Sequence, residues 1–194
     1  MTESDPIALF LEWLSAAEAH GIDQADAMTL ATASADGRPS ARMVLLRGAD
    51  RQGFRFYTNR RSRKGDELRA NPHAALLFHW QPLGRQVRVE GSVSPLPDAD
   101  SDHYFATRPY ESRLGAWASD QSQVIESRDA LLARFEEAQQ RFADGDVPRP
   151  PHWGGYLLRP VAIEFWQHGD HRLHDRRRYA RSADGSWSSQ LLAP

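Results

Sequence analysis

The sequence predicts an α+β domain, built as a small antiparallel β-barrel with helices at its ends. Strand-like segments at 28–34, 40–48 and 54–58 follow one another and are joined by compact turn signals. Residues 35–37, Ala-Asp-Gly, are typical of a β-hairpin turn. Consecutive hairpins favour an antiparallel meander over alternating strand–helix–strand units. Over the whole chain we expect about six to eight strands in meander order, with about three or four helices inserted.

The composition limits the classes of protein that the chain can form. Its 194 residues suit one domain with a sizeable core. A formal net charge of -2 argues against a general nucleic-acid binder, which usually carries a strongly basic face. The absence of cysteine excludes disulfides and thiol catalysis and agrees with a cytoplasmic location. No apolar run is long enough to cross a bilayer, and residues 1–5 lack the basic start of a signal peptide, so no membrane partner is expected.

Helical signals occur at four places. The first helix begins at Asp5-Pro6, a capping residue followed by proline at the first helical position, and ends near Gly21. A short helix is expected at 62–70, and longer helices at 98–107 and 126–143. The apolar face of the first helix comprises Ile7, Phe10, Leu11 and Leu14. The helix at 126–143 carries a stripe that we assign to the core, formed by Leu131, Leu132, Phe135, Ala138 and Phe142.

The later strands are predicted by alternation and by their turns. Residues 74–80 and 85–93 read as strands, and polar and apolar residues alternate in the second. Residues 112–122 show no single pattern, and the proline-rich residues 145–151 form a stiff linker. The chain ends in a predicted hairpin at 179–192.

Two basic residues stand at the start of the short helix. Lys64 is the single lysine among 24 basic residues, and it follows Arg63 directly. The helix dipole disfavours cations in the first turn unless free backbone N–H groups there hold an anion. The pair therefore indicates either a phosphate site or a solvated basic turn.

An apolar segment at 163–167 leads into a Gly-Asp turn and then into a dense group of ionisable residues. Arg172 and His174 are two apart, so on a strand they would point to the same face. A fixed cation beside an imidazole suits an anionic, partly aromatic substrate, although a solvated edge strand would have the same pattern. His168 and His171 complete a three-residue spacing with His174, but strand-like flanks would separate the rings, so no metal site is expected.

The chain is rich in groups that suit phosphate. It contains no Gly-x-Ser-x-Gly nucleophile motif, no Gly-x-Gly-x-x-Gly loop and no Walker loop. Two separate basic sets could hold two phosphates, one on a cofactor and one on a substrate. The candidate groups are Arg42, Arg47, Arg63, Lys64, Arg108, Arg172 and Arg176, with hydroxyls at Thr58, Ser62, Ser112 and Ser122.

From about residue 5 to residue 194 the chain resembles the pyridoxamine 5′-phosphate oxidase family in a series of short motifs that occur in the family's order. The motifs are Arg42-Met43-Val44-Leu45-Leu46, Phe56-Tyr57-Thr58-Asn59, Ser62-Arg63-Lys64, Arg85-Gln86-Val87, Arg108-Pro109, Gly115-Ala116-Trp117, Gln121-Ser122, Trp153-Gly154-Gly155, Ile163-Glu164-Phe165-Trp166, Arg172-Leu173-His174-Asp175-Arg176 and the terminal Leu192-Ala193-Pro194.

The resemblance implies an antiparallel Greek-key split β-barrel that binds FMN, with peripheral helices. It implies a single domain over 1–194, with an N-terminal helix within 1–22 and C-terminal dimerisation and active-site strands at 153–194. It also implies a homodimer with FMN at the subunit interface.

The resemblance assigns roles residue by residue. The implied FMN contacts are Arg42, Met43, Val44, Leu45, Leu46, Tyr57, Thr58, Arg63, Lys64, Gln86, Gln121, Ser122, Trp166 and Arg176. The implied contacts to the substrate phosphate are Arg47, Tyr104, Arg108 and Ser112. Arg172 and His174 are implied to lie over the substrate ring as catalytic residues, Arg172 positioning it and His174 binding it and relaying a proton.

The implied reaction oxidises pyridoxamine 5′-phosphate or pyridoxine 5′-phosphate to pyridoxal 5′-phosphate, with O₂ reduced to hydrogen peroxide. A related FMN oxidase of phenazine biosynthesis is an alternative, because Arg108-Pro109-Tyr110 faintly resembles that branch. A flavin-binding split barrel without turnover is another alternative, and the Arg172/His174 pair argues against it.

Three features depart from the family's pattern, two substituted positions and one segment. Arg47 stands where the family usually has Lys, and Asp120 replaces a usual Lys beside the implied flavin site. An Arg-Arg-x-Tyr segment that often folds over the active site has no counterpart before Asp5. We therefore expect weaker substrate retention, or a different closing element.

Overall fold

The computed structural model describes residues 5–194 and confirms an antiparallel α+β fold. Its helices are α1 (Pro6–Ala19), α2 (Arg63–Ala70), α3 (Asp98–Ala106), α4 (Tyr110–Ala118) and α5 (Arg128–Arg141), with short 3₁₀ turns at Gln81–Leu83 and Asp170–Arg172. Its strands are β1 (Ala27–Ala33), β2 (Pro39–Leu45), β3 (Gly48–Asp50), β4 (Gly53–Asn59), β5 (His73–Trp80), β6 (Arg85–Pro95), β7 (Trp153–Gln167), β8 (Asp175–Arg181) and β9 (Trp187–Leu191).

The strands form one sheet whose order contradicts the predicted meander. The order is β2-β1-β5-β6-β7-β4-β3, with β8 added to β7 and β9 added to β8. The first two strands form the expected hairpin, but β4 pairs with β7 and not with β2. Alternation of apolar residues marks a strand without specifying its distant partner, because any strand with a matching buried face can complete the ladder. The non-consecutive neighbours make the arrangement a Greek key.

Several element predictions change in detail. The segments around 153–156 and 163–167 belong to one 15-residue strand, β7, that pairs with β6, β4 and β8. Helix α4 occupies residues for which the sequence pattern indicated no single structure. Within 5–194 the strands and helices both exceed the expected numbers, with nine strands and five α-helices. The C-terminal hairpin is confirmed as β8 and β9.

The apolar stripe of α5 is only partly in the core. Ala138 and Phe142 are buried and pack with Phe105, Leu114 and Trp153, whereas Leu132 is 48% exposed. Helix α5 packs mainly on α4 and not on the barrel, so only one side of the stripe is covered. The assignment of Leu132 to the core was therefore wrong for the single chain.

Helix α1 supplies the centre of the main core. Asp5 caps it by accepting a hydrogen bond from the Ile7 N–H. The Phe10 ring is fully buried, with its centre 4.9 Å from that of Phe54 and 4.8 Å from that of Phe78. The helix therefore closes the apolar side of the sheet. Residues 1–4, which include the start of the predicted 1–22 helical segment, lie outside the described residues.

Replacing Phe10 by alanine should lower the free energy of unfolding by about 3–5 kcal/mol, because it removes a fully buried ring and leaves a cavity among other aromatic rings. Urea unfolding of the purified protein measures the change. The matched control is Leu11→Ala on the same helix, since Leu11 is 41% exposed and its predicted place on the buried face was wrong. Equal losses in the two variants would contradict the central place of Phe10.

No helix within residues 5–194 combines the length and the apolar character needed to cross a membrane.

Candidate active site

A cavity of about 730 Å³ opens between β2, β4, the start of α2, and helices α3 and α4. Its size suits a cofactor together with a small substrate. The cavity brings together most of the residues that the family resemblance singled out. They are Arg42, Met43, Val44, Leu45, Arg47, Tyr57, Thr58, Arg63, Lys64, Tyr104, Arg108, Ser112, Gln121 and Ser122.

Lys64 lies in the first turn of α2 and its side chain reaches the cavity wall. Its Nζ donates hydrogen bonds to Gln121 Oε1 at 2.7 Å, Ser62 Oγ at 3.2 Å and Thr58 Oγ1 at 3.3 Å. Burial, and then the neighbouring Arg42, lower the pKa of Lys64 to about 8. The cation is therefore less stable than in water, and a bound anion would raise the pKa of Lys64 again.

Glu67, one turn further along α2, organises the arginines of this region. Its Oε2 accepts hydrogen bonds from Ser40 at 2.6 Å and Arg42 at 3.3 Å, and its Oε1 accepts one from Arg63 at 2.9 Å. Thr32 completes the group with a short hydrogen bond to Oε2. Burial alone would raise the pKa of Glu67, but these hydrogen bonds outweigh it and lower the pKa to about 2.

The charges of this group suit a phosphate monoester. Arg42, Arg63 and Lys64 contribute three cations and Glu67 one carboxylate, which leaves about two positive charges facing a ligand that carries close to two negative ones. These residues therefore fit the phosphate of FMN.

Replacing Glu67 by glutamine should lower the free energy of unfolding by about 2–4 kcal/mol near neutral pH, because Arg42 and Arg63 lose a buried anionic partner. The folded pKa, about 2, lies below the ordinary value of 4.5, so the stabilisation by Glu67 is complete above that value and is lost as the pH falls toward 2. The difference in free energy of unfolding between wild type and Glu67→Gln should therefore become smaller in acid. Urea unfolding across this range tests it, with the exposed Glu18→Gln as control; a gap that is constant with pH would contradict the assignment.

Aromatic rings form another wall of the cavity. The rings of Tyr57 and Tyr104 are stacked with centres 4.0 Å apart, and Trp153 lies parallel to Tyr57 at 5.4 Å. The Arg108 guanidinium lies over Trp153, with Cζ 4.8 Å from the ring centre. Helix α3 ends at Ala106, so Arg108 lies beyond the helix that carries Tyr104. The two side chains meet at the cavity through this stack instead.

Arg108 is the clearest anion-binding candidate on this wall. Its Nη1 is buried and has no hydrogen-bond partner among the described residues. Burial lowers the pKa of Arg108; Tyr104 opposes that shift and Arg47 adds to it. A buried N–H group without a partner is costly unless a ligand accepts its hydrogen bond. This geometry suits a second phosphate, with Ser112 nearby on the cavity lining.

Arg47 also faces the cavity, but it is already paired. Its Nη1 lies 2.6 Å from Asp26 Oδ2. A ligand phosphate would have to share Arg47 with this carboxylate. Asp120, the other departure from the family's pattern, pairs with Arg134 at 3.3 Å.

The remaining predicted cofactor contacts lie on another part of the sheet. Gln86 on β6 is opposite Trp166 on β7, and Trp166 is opposite Arg176 on β8, so the three side chains form one row across adjacent strands. Glu164 is 5% exposed and accepts hydrogen bonds from Arg176 Nε at 2.9 Å and Arg88 Nη2 at 2.6 Å. It holds the Arg176 guanidinium in place as Glu67 holds that of Arg42.

Arg172 and His174 follow this row in a tight turn, not in a strand. His171 and Arg172 have φ values of 55° and 66°, and β8 begins only at Asp175. The expectation that Arg172 and His174 share a strand face was therefore wrong. The His174 ring centre lies 4.6 Å from that of Trp166, so the turn still places it beside the row.

Within one chain, the two groups of residues do not form one site. Gln86, Trp166, Arg172, His174 and Arg176 are absent from the lining of the cavity. Leu46 is also outside it, since its side chain is 5% exposed and packs in the main core. Residues 5–194 contain no group of three or more His, Asp or Glu side chains placed to hold a metal, and the three histidines near 171 form no such group.

Sequence reasoning missed the residues that support the site. Glu67 could have been found from its helical spacing to Arg63, and Ser40 from its register opposite Thr32 in the predicted hairpin. Glu164 and Asp26 carry no comparable local signal, because their partners come from distant strands or loops.

Comparison with known proteins decides the family. Residues 14–142 match the family model for pyridoxamine 5′-phosphate oxidase. The chain belongs to the pyridoxamine 5′-phosphate oxidase family. Residues 153–194 match this family's C-terminal dimerisation region, described for pyridoxine 5′-phosphate oxidase.

Relatives in this oxidoreductase family are similar to nearly the whole chain. A pyridoxine/pyridoxamine 5′-phosphate oxidase of Sphingopyxis alaskensis is 56% identical, covering 98% of the chain and 88% of the relative. One of Microcystis aeruginosa is 54% identical, covering 100% and 90%.

Solved structures confirm the split-barrel fold. PhzG from Burkholderia lata, in complex with tetrahydrophenazine-1-carboxylic acid, has a TM-score of 0.93 and 36% identity, covering 100% of this chain and 94% of PhzG. An FMN-binding protein of Nostoc punctiforme, related to pyridoxamine 5′-phosphate oxidase, has a TM-score of 0.78 and 20% identity, with both chains fully covered.

Proposed function

We propose that the protein oxidises pyridoxamine 5′-phosphate and pyridoxine 5′-phosphate to pyridoxal 5′-phosphate with FMN as cofactor and O₂ as acceptor. The observation that carries the proposal is a single cavity with two phosphate-suited groups, one around Lys64 and one around Arg108. A phosphorylated cofactor and a phosphorylated substrate require two such groups. The relatives named as pyridoxine/pyridoxamine 5′-phosphate oxidase support the same substrate class.

The residues around Lys64 would hold the FMN phosphate, and Arg47, Tyr104, Arg108 and Ser112 would hold the substrate phosphate. Bound FMN supplies the redox chemistry, in which a hydride leaves the exocyclic carbon of the substrate and O₂ is reduced to hydrogen peroxide. Oxidation of the amine also consumes water and releases ammonia, whereas oxidation of the alcohol does not. The aromatic wall excludes water from one side of the substrate.

The second group of residues would come from the other subunit of a homodimer. Gln86, Trp166 and Arg176 would contact the flavin, and Arg172 and His174 would lie over the substrate. Support comes from the match of 153–194 to a dimerisation region. In addition, Val161, Leu173 and Leu191 of this region are 56%, 71% and 74% exposed in the single chain, as expected of an uncovered interface.

Arg172 would position the substrate ring and stabilise the negative charge that develops on it. A guanidinium suits this role, because it is a planar cation with several N–H donors in a fixed arrangement. His174 would bind the substrate beside it.

Anaerobic addition of pyridoxamine 5′-phosphate to the purified, FMN-loaded protein tests the proposal. The yellow flavin should bleach, and admission of O₂ should restore the colour with formation of hydrogen peroxide. A protein that binds no FMN, or a flavin that stays yellow with both vitamers, would overturn the proposal.

A second candidate is oxidation of a tricyclic phenazine precursor, favoured by the similarity to PhzG in complex with such a compound. The same experiment separates the two candidates. Bleaching by a reduced phenazine carboxylate but by neither B6 vitamer would favour the second.

A further inference from the structure

The turn from Gly169 to His174 locks one nitrogen of the His174 ring. The backbone N–H of Gly169 donates a hydrogen bond to His174 Nδ1 at 3.2 Å. A backbone amide can only donate, so Nδ1 must present its lone pair. The proton of the neutral ring must then reside on Nε2.

The other ring nitrogen is free to meet a ligand. His174 is half-buried, and its Nε2 has no hydrogen-bond partner in the part of the chain that the structure describes. Two aromatic rings lie beside it, Trp166 at 4.6 Å and His168 at 5.4 Å between ring centres.

The turn that holds this bond depends on the absence of a side chain at Gly169. A Cβ at this position would lie 2.1 Å from the Leu173 carbonyl oxygen and 2.9 Å from its carbon. The contact involves backbone atoms, so it cannot be relieved by rotating a side chain. The Leu173 N–H closes the same turn by donating to the Asp170 carbonyl at 2.9 Å.

We propose that His174 acts as a fixed hydrogen-bond donor to an acceptor atom of the substrate, through Nε2–H, and not as a proton acceptor. Gly169 is its positioning residue, because it supplies the N–H that selects the tautomer and allows the close turn. The proposal rests on the proposed function for the identity of the substrate. Accepting a proton at Nδ1 would require the Gly169 hydrogen bond to break, which opposes a role as base.

Nitrogen-15 NMR of histidine-labelled, FMN-loaded protein tests the tautomer directly. The chain has 8 histidines, and the His174 signals are those missing from the His174→Gln variant. Spectra are recorded above about pH 8, where an ordinary histidine is neutral. We expect the proton on Nε2 in the wild type and a mixture of tautomers in Gly169→Ala. A proton on Nδ1 in the wild type would overturn the proposal.

Two substitutions at His174 separate a donor from a structural acceptor. Glutamine places an N–H group near the position of Nε2, whereas asparagine can place its oxygen near Nδ1 and keep only the bond to Gly169. We expect His174→Gln to retain at least about tenfold more kcat/KM than His174→Asn, since the lost donor contact costs about one factor of ten or more. Equal losses, or a more active asparagine variant, would overturn the donor role.

Gly169→Ala should lower kcat/KM by about tenfold or more while FMN binding at the Lys64 group is retained. The matched control is His171→Gly, which keeps the positive φ of 55° without the strain of a side chain and should match wild-type activity. An unaffected Gly169→Ala would contradict the positioning role. The NMR result requires no turnover, so a protein that fails to oxidise either vitamer would refute the proposed function without deciding the tautomer.

Discussion

Replacing Lys64 by methionine should weaken FMN binding by about 100-fold, because the phosphate loses a buried cationic partner while the shape of the side chain is nearly retained. Lys64 is 7% exposed, so bulk water cannot substitute for it easily. Fluorescence titration of the FMN-free protein with FMN measures the change. The matched control is Arg61→Met, which removes an exposed cation three positions earlier, just before α2.

The pH dependence of FMN binding should identify the same residue. Lys64 has a pKa of about 8 in the ligand-free protein, and a bound phosphate would raise it. Below that pH Lys64 is already charged, so it does not make the FMN affinity depend on pH. Above it, binding must take up a proton, so wild-type affinity should fall by up to about tenfold per pH unit until the pKa of the complex is reached.

The Lys64→Met variant has no group that titrates at this position. Its FMN affinity should therefore not show the fall between about pH 8 and 9.5 that Lys64 causes in the wild type. Subtracting the two curves removes the titration of FMN itself. A Lys64→Met variant that binds FMN within about threefold of wild type would contradict a phosphate role for Lys64. The same pH dependence of FMN affinity in wild type and variant would also contradict it.

Heterodimers that combine two inactive chains should regain activity. Arg108→Ala removes the proposed substrate-phosphate contact in the cavity, and Arg172→Ala removes the proposed cation over the substrate ring. Each homodimer should lose turnover by about 100-fold or more, and Arg172→Ala should keep its FMN. In the heterodimer, the intact cavity of one chain meets the intact turn of the other, so about half of the wild-type activity should return.

A reciprocal heterodimer provides the control. It pairs a wild-type chain with a chain that carries both substitutions, so it contains the same set of altered residues in a different arrangement. If each site is shared between subunits, each of the two sites in the reciprocal heterodimer contains one altered residue. This heterodimer should then be inactive. If each chain carries a complete site, this heterodimer should retain about half of the activity and the first one none. Co-expression with two different tags allows both species to be purified and assayed.

The elements of the fold could mostly be predicted, because their signals are local. Asp5-Pro6 marks the start of α1, and the Ala-Asp-Gly turn at 35–37 marks the hairpin of β1 and β2. The strand order was predicted wrongly, because the partner of β4 lies about 100 residues away in β7. Local periodicity contains no information about such a pairing.

The candidate site likewise contains residues that the sequence identified and others whose geometry only the structure revealed. Arg63 and Lys64 were identified from their place at a helix start, and their charge accounts for the phosphate-suited end of the cavity. The Gly-Asp turn was expected, but residues 172–174 were read as strand, because His171 and Arg172 adopt positive φ values that their residue types rarely predict. Residue types indicated the chemistry there, whereas the geometry depended on the contact between Gly169 and Leu173.

The sequence by itself determined that the protein is an antiparallel α+β domain with an excess of phosphate-suited residues, and its motifs indicated the family. Only the tertiary structure decided that one cavity collects the Lys64 and Arg108 groups, while Trp166, Arg172 and His174 lie on a separate surface of the same chain. The physical reason is the separation along the chain of the residues that interact. Helix caps, turns and alternation depend on neighbours a few residues apart, but the charge state of Lys64 depends on its burial and on Arg42, which the folded sheet brings close to it.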